Sequence, residues 1–162
     1  MLSKKMLDAL NGQINAELYS AYLYLSMASY FESVNLPGFS KWMRVQATEE
    51  TAHAMKLFDY VTGSRGRVTL TAIDTPKAQW TSALDAFEDA LKHELKVTGL
   101  IKDLVTLAEG EKDHATVVML QWFVTEQVEE EASADEVVQK LKMAGESPNA
   151  LMMLDQVMAK RQ

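Results

Sequence analysis

Residues Met43 to Tyr60 read MRVQATEETAHAMKLFDY. Met43, Gln46, Glu50, His53, Leu57 and Tyr60 recur at steps of three and four, the inward stripe of a helix packed in a bundle. The stripe is apolar at its ends and polar in its middle. Three other stretches share this form. The first carries Leu7, Leu10, Ile14, Glu17, Ala21, Tyr24 and Ala28. The third carries Leu84, Phe87, Leu91, Glu94, Thr98, Ile101 and Val105, and the fourth Leu120, Phe123, Gln127, Glu130, Ala134, Val137 and Leu141. Four such stripes predict an all-α, antiparallel four-helix bundle. A polar residue at the centre of each is a fault in core design unless the polar groups meet something.

Breaks along the chain set the element order. The first helix runs from Ser3, a capping residue, to about Ser33, and Asn35-Leu-Pro37-Gly38 breaks it. The second runs to about Thr62 and is closed by Gly63-Ser-Arg65-Gly66. Residues 67–80 carry partly alternating apolar positions and Asp74-Thr-Pro76, which predicts an extended crossover. The third helix spans about Ser82 to Ala108, and Asp113 caps a fourth to about Met143. After Gly145-Glu-Ser-Pro148 a short fifth helix covers about 149–160. The expectation is one domain over 1–162, with the bundle at about 3–143 and the crossover at about 63–80.

A shift of 77 carries Leu7 onto Leu84, Leu10 onto Phe87, Ile14 onto Leu91 and Glu17 onto Glu94. The same shift carries Glu49 onto Glu126, Glu50 onto Gln127 and His53 onto Glu130. The chain therefore reads as two similar helical hairpins in one register. Within each hairpin the polar residues lie about 15 to 19 positions from the turn on either side, hence at one height. For the second and third helices to run parallel, the connection must travel about 40 Å. About 17 extended residues reach up to about 55 Å, so the crossover is long enough.

Composition limits the function classes. The chain contains no cysteine, which excludes disulfides, thiolate metal sites and cysteine nucleophiles. It suits a reducing compartment, and a cytoplasmic location is expected. The net charge of −7 disfavours nucleic acid. No apolar run is long enough to span a membrane. The opening residues turn amphipathic at once, so no targeting segment is expected.

Taken singly, a seam Glu reads as a boundary residue reaching water, and a lone His53 as a satisfied core histidine. Jointly, Glu17, Glu50, His53, Glu94 and Glu130 face inward at one level. Burying four uncompensated carboxylates would cost many kcal/mol, so several are protonated or cations sit among them. Two divalent cations would balance four carboxylates. Glu50 and His53 lie three residues apart on one helix face. A carboxylate-rich set with one imidazole and no sulfur suits Fe, Mn or Zn.

The stretches Asn15-Ala-Glu17-Leu-Tyr-Ser-Ala-Tyr-Leu-Tyr24, Glu49-Glu50-Thr-Ala-His53 and Gln121-Trp-Phe-Val-Thr-Glu126-Gln127-Val-Glu129-Glu130-Glu131 carry a resemblance to the non-haem bacterial and archaeal ferritins, over essentially the whole chain. The resemblance implies a first iron position from Glu17, Glu50 and His53. Glu50 would bridge to a second held by Glu94 and Glu130, with Gln127 nearby. Glu49, Glu126 and Glu129, with Glu130, match the family's third iron position, although a solvated acidic face is the other reading of those three. Tyr24 matches the tyrosine beside the di-iron centre. The fourth helix offers Gln127-x-x-Glu130 where bacterioferritins have a second Glu-x-x-His, so the second iron should be held loosely. Thr51 stands where bacterioferritins carry their haem-ligating Met, so no haem is expected. The resemblance implies ferroxidase activity with O₂ or H₂O₂ as oxidant, ferric mineral deposited in a hollow homo-oligomeric shell of 24 subunits, and no nucleic-acid or membrane partner. A di-iron oxidoreductase or peroxidase with retained iron stays open as an alternative.

Other residues receive blander readings. His93 and His114 are expected at the surface. Most of the ten Met residues are core fillers. Met152, Met153, Leu154, Val157 and Met158 make the fifth helix too apolar to stand alone, so it should bury itself against other subunits.

Overall fold

The computed structural model describes residues 1–162. It contains five helices: α1 (Lys4–Ser33), α2 (Pro37–Gly63), α3 (Ala83–Gly110), α4 (His114–Ala144) and α5 (Pro148–Met158). α1 pairs with α2 and α3 with α4, and the two hairpins close into the bundle predicted by the four stripes.

Local chemistry sets the boundaries. Ser3, Ser82, Asp113 and Ser147 each accept a backbone N–H from the first turn of the helix they precede. α2 lacks such a cap from its own Leu36. Asp155 of α5 supplies it instead, its Oδ1 accepting the Phe39 N–H at 2.9 Å. That docking needs Gly38, since a Cβ there would lie 1.8 Å from the Asp155 carbonyl oxygen.

Helix ends differ from the sequence expectation in one respect. After α4 the positive φ falls on Gly145, at 56°, but after α1, α2 and α3 non-glycine residues turn left-handed: Asn35, Arg65 and Lys112, with φ of 63°, 62° and 55°. Each stands one residue before an N–H that reaches back to a carbonyl in the last helical turn: Leu36 to Phe31, Gly66 to Val61 and Asp113 to Ala108. The hydrogen bonds recovered at the helix ends hold these residues in a conformation that side chains ordinarily disfavour.

Residues 67–80 form neither helix nor strand. They run along α1, whose polar face holds them at successive heights. Asn11 bonds the backbone of Arg67 and Thr69, Asn15 that of Ala72, and Ser26 that of Lys77. The buried Trp80 closes the run and donates its indole N–H to Asp89 at 2.8 Å. α2 and α3 therefore run parallel.

The apolar core falls into two parts. One surrounds Phe31, Phe39, Trp42, Phe87 and Val138 at the end where α5 docks. The other surrounds Leu10, Leu57, Ile101 and Leu120 at the opposite end. Between them lies a buried layer of polar side chains. The packed ends offset the cost of that layer, because hydrophobic burial dominates folding free energy.

Candidate metal centre

Each long helix sends at least one acidic side chain into the layer. Glu17 comes from α1, Glu50 with His53 from α2, Glu94 from α3 and Glu130 from α4; all five are at most 5% exposed. They form two adjoining groups in which one possible ligand atom per residue lies within 4.8 Å of the others: Glu17, Glu50 and His53, and Glu50, Glu94 and Glu130. Glu50 belongs to both. His53 faces the first group with Nδ1, which is 3.3 Å from Glu50 Oε2 and 3.9 Å from Glu17 Oε2. The ring is held edge-on by Trp122 and Phe123.

Hydrogen bonds orient the carboxylates. Gln13 donates to Glu17 Oε1 at 2.9 Å. Gln46 donates to Glu50 Oε1 at 2.8 Å and to Glu130 Oε2 at 2.6 Å. The Tyr24 hydroxyl donates to Glu94 Oε1. Gln127 Nε2 lies 3.2 Å from Glu94 Oε2 and from Thr98 Oγ1. Glu17 Oε2 has no hydrogen-bond partner, the nearby His53 Nδ1 lying 3.9 Å away. A buried acceptor without a donor, aimed at a second group of acceptors, fits a cation.

The ionisation of these groups reflects the cost of burying them together. Burial, then the neighbouring Glu50, holds Glu17 well above the usual carboxyl range. Burial, then Glu94 and Glu130, does the same to Glu50. Glu94 is raised by burial, against the pull of its bonds from Tyr24 and Gln127. Glu130 is pushed up to about 7 by burial and by Glu94. Burial, then the Glu94 carboxyl, raises the Tyr24 phenol. Like charges at this spacing cannot all ionise without compensation.

The outer acidic residues divide. Glu126 approaches His53 Nε2 at 3.6 Å and forms a third group with His53 and Glu130. Glu49 is turned away, to Arg161 at 2.7 Å. Glu129 is exposed and in none of the three groups. His114 is exposed, as read from the sequence. His93 is not: it is half-buried, bonded to Ser20 Oγ at 2.7 Å and packed on Tyr19 and Tyr24. Burial, then Lys96, pushes its pKa down to about 4. Helical geometry sets His93 away from Glu94, as expected, but α1 covers that flank and takes the ring out of solvent.

Gln13, Gln46 and Arg161 are site residues to which the sequence reading gives no role, although it places Gln46 on the inward stripe of the second helix. The first two carry a usable signal. Each lies four residues before a buried Glu on the same helix, the spacing at which side chains meet. Arg161 carries none, because its partners lie more than a hundred residues away.

Fold and centre together define a helix-bundle protein with a carboxylate-rich site able to hold divalent metal ions. The ferritin-like domain family matches residues 7–144. The chain is 44% identical over 147 residues to a bacterial non-heme ferritin of Bacteroides fragilis, covering 91% of this chain and 92% of that one. It is 39% identical over 161 residues to that of Staphylococcus saprophyticus, covering 99% and 96%. Among solved structures, an open pore ferritin from the hyperthermophilic archaeon Archaeoglobus fulgidus superposes with a TM-score of 0.99 at 57% identity, covering 100% of both chains. The chain belongs to the ferritin family.

Proposed function

We propose that this chain stores and detoxifies iron as a ferroxidase. Fe²⁺ is its substrate, and ferric mineral inside a shell of identical subunits, 24 in number, is the product. The observation that supports this most strongly is the buried layer of Glu17, Glu50, His53, Glu94 and Glu130, whose charge two divalent ions would balance. The bacterial relatives are named as non-heme ferritins, which agrees with it. In this reading the two ions are transient substrate and no haem is involved.

Two Fe²⁺ enter as the raised carboxyls lose their protons. Glu17, Glu50 and His53 hold the first ion. Glu50 bridges to the second, held by Glu94 and Glu130, with Gln127 beside it. Tyr24 fixes Glu94, and Gln13 and Gln46 fix the other carboxylates, so little reorganisation is needed on binding. Two Fe²⁺ give up two electrons; O₂ takes them with two protons and leaves as H₂O₂, or H₂O₂ takes them with two protons and leaves as two waters. Ferric ion then moves past His53 toward Glu126, with the exposed Glu129 further along an acidic path to the interior, which Glu49 joins only on leaving Arg161. A neutral amide at Gln127 grips metal weakly beside the carboxylate Glu50, which favours release over retention.

α5 supports assembly. Leu154 and Met158 are buried on the chain's own bundle, whereas Met152, Met153 and Val157 are exposed. Those three face neighbouring subunits. No helix is long and apolar enough to cross a membrane, and a cytoplasmic location is proposed. Residues 1–162 act as one domain.

The test is aerobic loading of the metal-free assembly with Fe²⁺. Hundreds of iron atoms retained per soluble particle are expected. A fixed two per chain without mineral would instead mark an oxidoreductase with resident iron.

A further inference from the structure

Arg161 follows α5 and reaches back over α2. Its Nη2 donates to Gln46 Oε1 at 2.8 Å and to Glu49 Oε2 at 2.7 Å. Its Nη1 reaches the Trp42 carbonyl at 3.3 Å, and the guanidinium lies 4.1 Å from the centre of the Trp42 ring. Only 19% of the side chain is exposed. A surface arginine that merely solubilises a terminus does not make four such contacts. An amide has one donor end and one acceptor end. With Gln46 Oε1 held by Arg161, Nε2 must point into the layer, where it donates to Glu50 and Glu130. Without that hold the amide can turn over and set its oxygen against two carboxylates.

The geometry points to Arg161 as a positioning residue for the metal centre, acting through Gln46 to hold Glu50 and Glu130 in place and so tying the seating of α5 to the second metal position. It rests on the proposed reading of the layer as a two-metal site. The group it serves is Glu50, Glu94 and Glu130; the group of Glu17, Glu50 and His53 keeps its own donor from Gln13 and its own imidazole. The same guanidinium draws the Glu49 carboxylate toward α5. The planar fork is essential, because a single ammonium cannot span Gln46, Glu49 and the Trp42 carbonyl while stacking on the indole.

The experiment is anaerobic Co²⁺ titration of the metal-free assembly, followed by calorimetry and by the cobalt absorption bands. Two ions per chain with unequal affinity are expected for the unaltered protein. Fewer would overturn the two-metal reading itself. Arg161→Ala should weaken the looser ion by about 10–100-fold, the usual loss for an outer-shell partner, and leave the tighter one within a few-fold. In a Gln46→Leu background the same substitution should do nothing further to the looser ion, since it acts through that amide. Arg161→Lys should recover little. Unchanged binding in Arg161→Ala, an undiminished effect in the Gln46→Leu background, or full recovery by lysine would each overturn the assignment. An equal fall at both positions with a lower Tm would also overturn it, showing general loosening of α5.

Discussion

The two hairpins are related by a shift of 77 residues, yet they contribute unequally to the layer. Glu17 corresponds to Glu94, but Glu50 corresponds to Gln127 and His53 to Glu130. The orienting groups are more unequal still. Gln13, Tyr24 and Gln46 of the first hairpin correspond to Ala90, Ile101 and Phe123 of the second. The first hairpin thus orients its own carboxylates and those of its partner: Tyr24 reaches Glu94, and Gln46 reaches Glu130. The second keeps the donation of Gln127 to Glu94 within itself. It gives the first no hydrogen bond to a carboxylate of the layer, only the edge-on packing of Trp122 and Phe123 and the approach of Glu126 to His53. One hairpin is organised for binding, and the other supplies charge that depends on it. An internally repeated fold can therefore make two unlike groups of possible metal ligands without losing the packing symmetry that builds the bundle.

The most severe way to break the comparison is to disarm the organised side. Glu50→Ala with His53→Ala should abolish fast Fe²⁺ oxidation while helix content, read by far-ultraviolet circular dichroism, stays intact. An unchanged initial rate would refute the assignment of the layer as the oxidation site.

Making the halves alike is the next test. Gln127→Glu restores the carboxylate that the repeat would place there. It adds charge to a crowded layer, which should cost the metal-free protein about 2 kcal/mol, or about 4–8 °C in Tm for a chain of this size. The looser Co²⁺ should then bind more tightly, and iron should leave the centre more slowly. Unaltered affinity would show that the amide is not what makes the second position weak.

The pH dependence follows from the direction of the shifts. Glu17, Glu50, Glu94 and Glu130 all titrate higher in the folded chain than the ordinary 4.5, Glu130 at about 7. Between those values the folded state binds more protons than the unfolded state, so stability falls as pH rises. The metal-free protein should show its contribution from this layer in full below about pH 4.5 and lose it progressively to pH 7 and above. Saturating Zn²⁺ should flatten or reverse the decline over that window, because metal replaces the protons. Thermal scans at several pH values, with and without Zn²⁺, check this. His93, pushed down to about 4, acts in the opposite sense over part of this window. The scans are therefore made in a His93→Gln background, where a Tm that rises between pH 5 and 7 without metal would contradict the shifts.

The smallest effect concerns one of the bonds that cross from one hairpin to the other, that of Tyr24 to Glu94. Tyr24→Phe removes only the hydroxyl given to Glu94 and should cost about 1 kcal/mol. Metal stoichiometry should remain at two, with the change confined to the position that contains Glu94. A denaturant midpoint indistinguishable from the unaltered protein would mean that this bond adds nothing net.

Much of the fold and of the centre is legible in the chain's own pattern. The period of the stripes defines the helices, because a core-facing position must recur at the pitch of the helix. The level placement of Glu17, Glu50, His53, Glu94 and Glu130 follows from counting outward from the turns, since rise per residue is fixed. The length of the crossover allows the second and third helices to run parallel. By itself, then, the sequence determined the bundle, its order and the five residues of the buried layer. Only the tertiary structure decided how those residues are oriented and which neighbours they have. The turn of the Gln46 amide, the capture of Glu49 by Arg161, the cap that Asp155 lends to α2 and the covering of His93 by α1 all join residues remote in sequence. Their partners are chosen by the packing of one helix against another, and periodicity along a single helix carries no record of that choice.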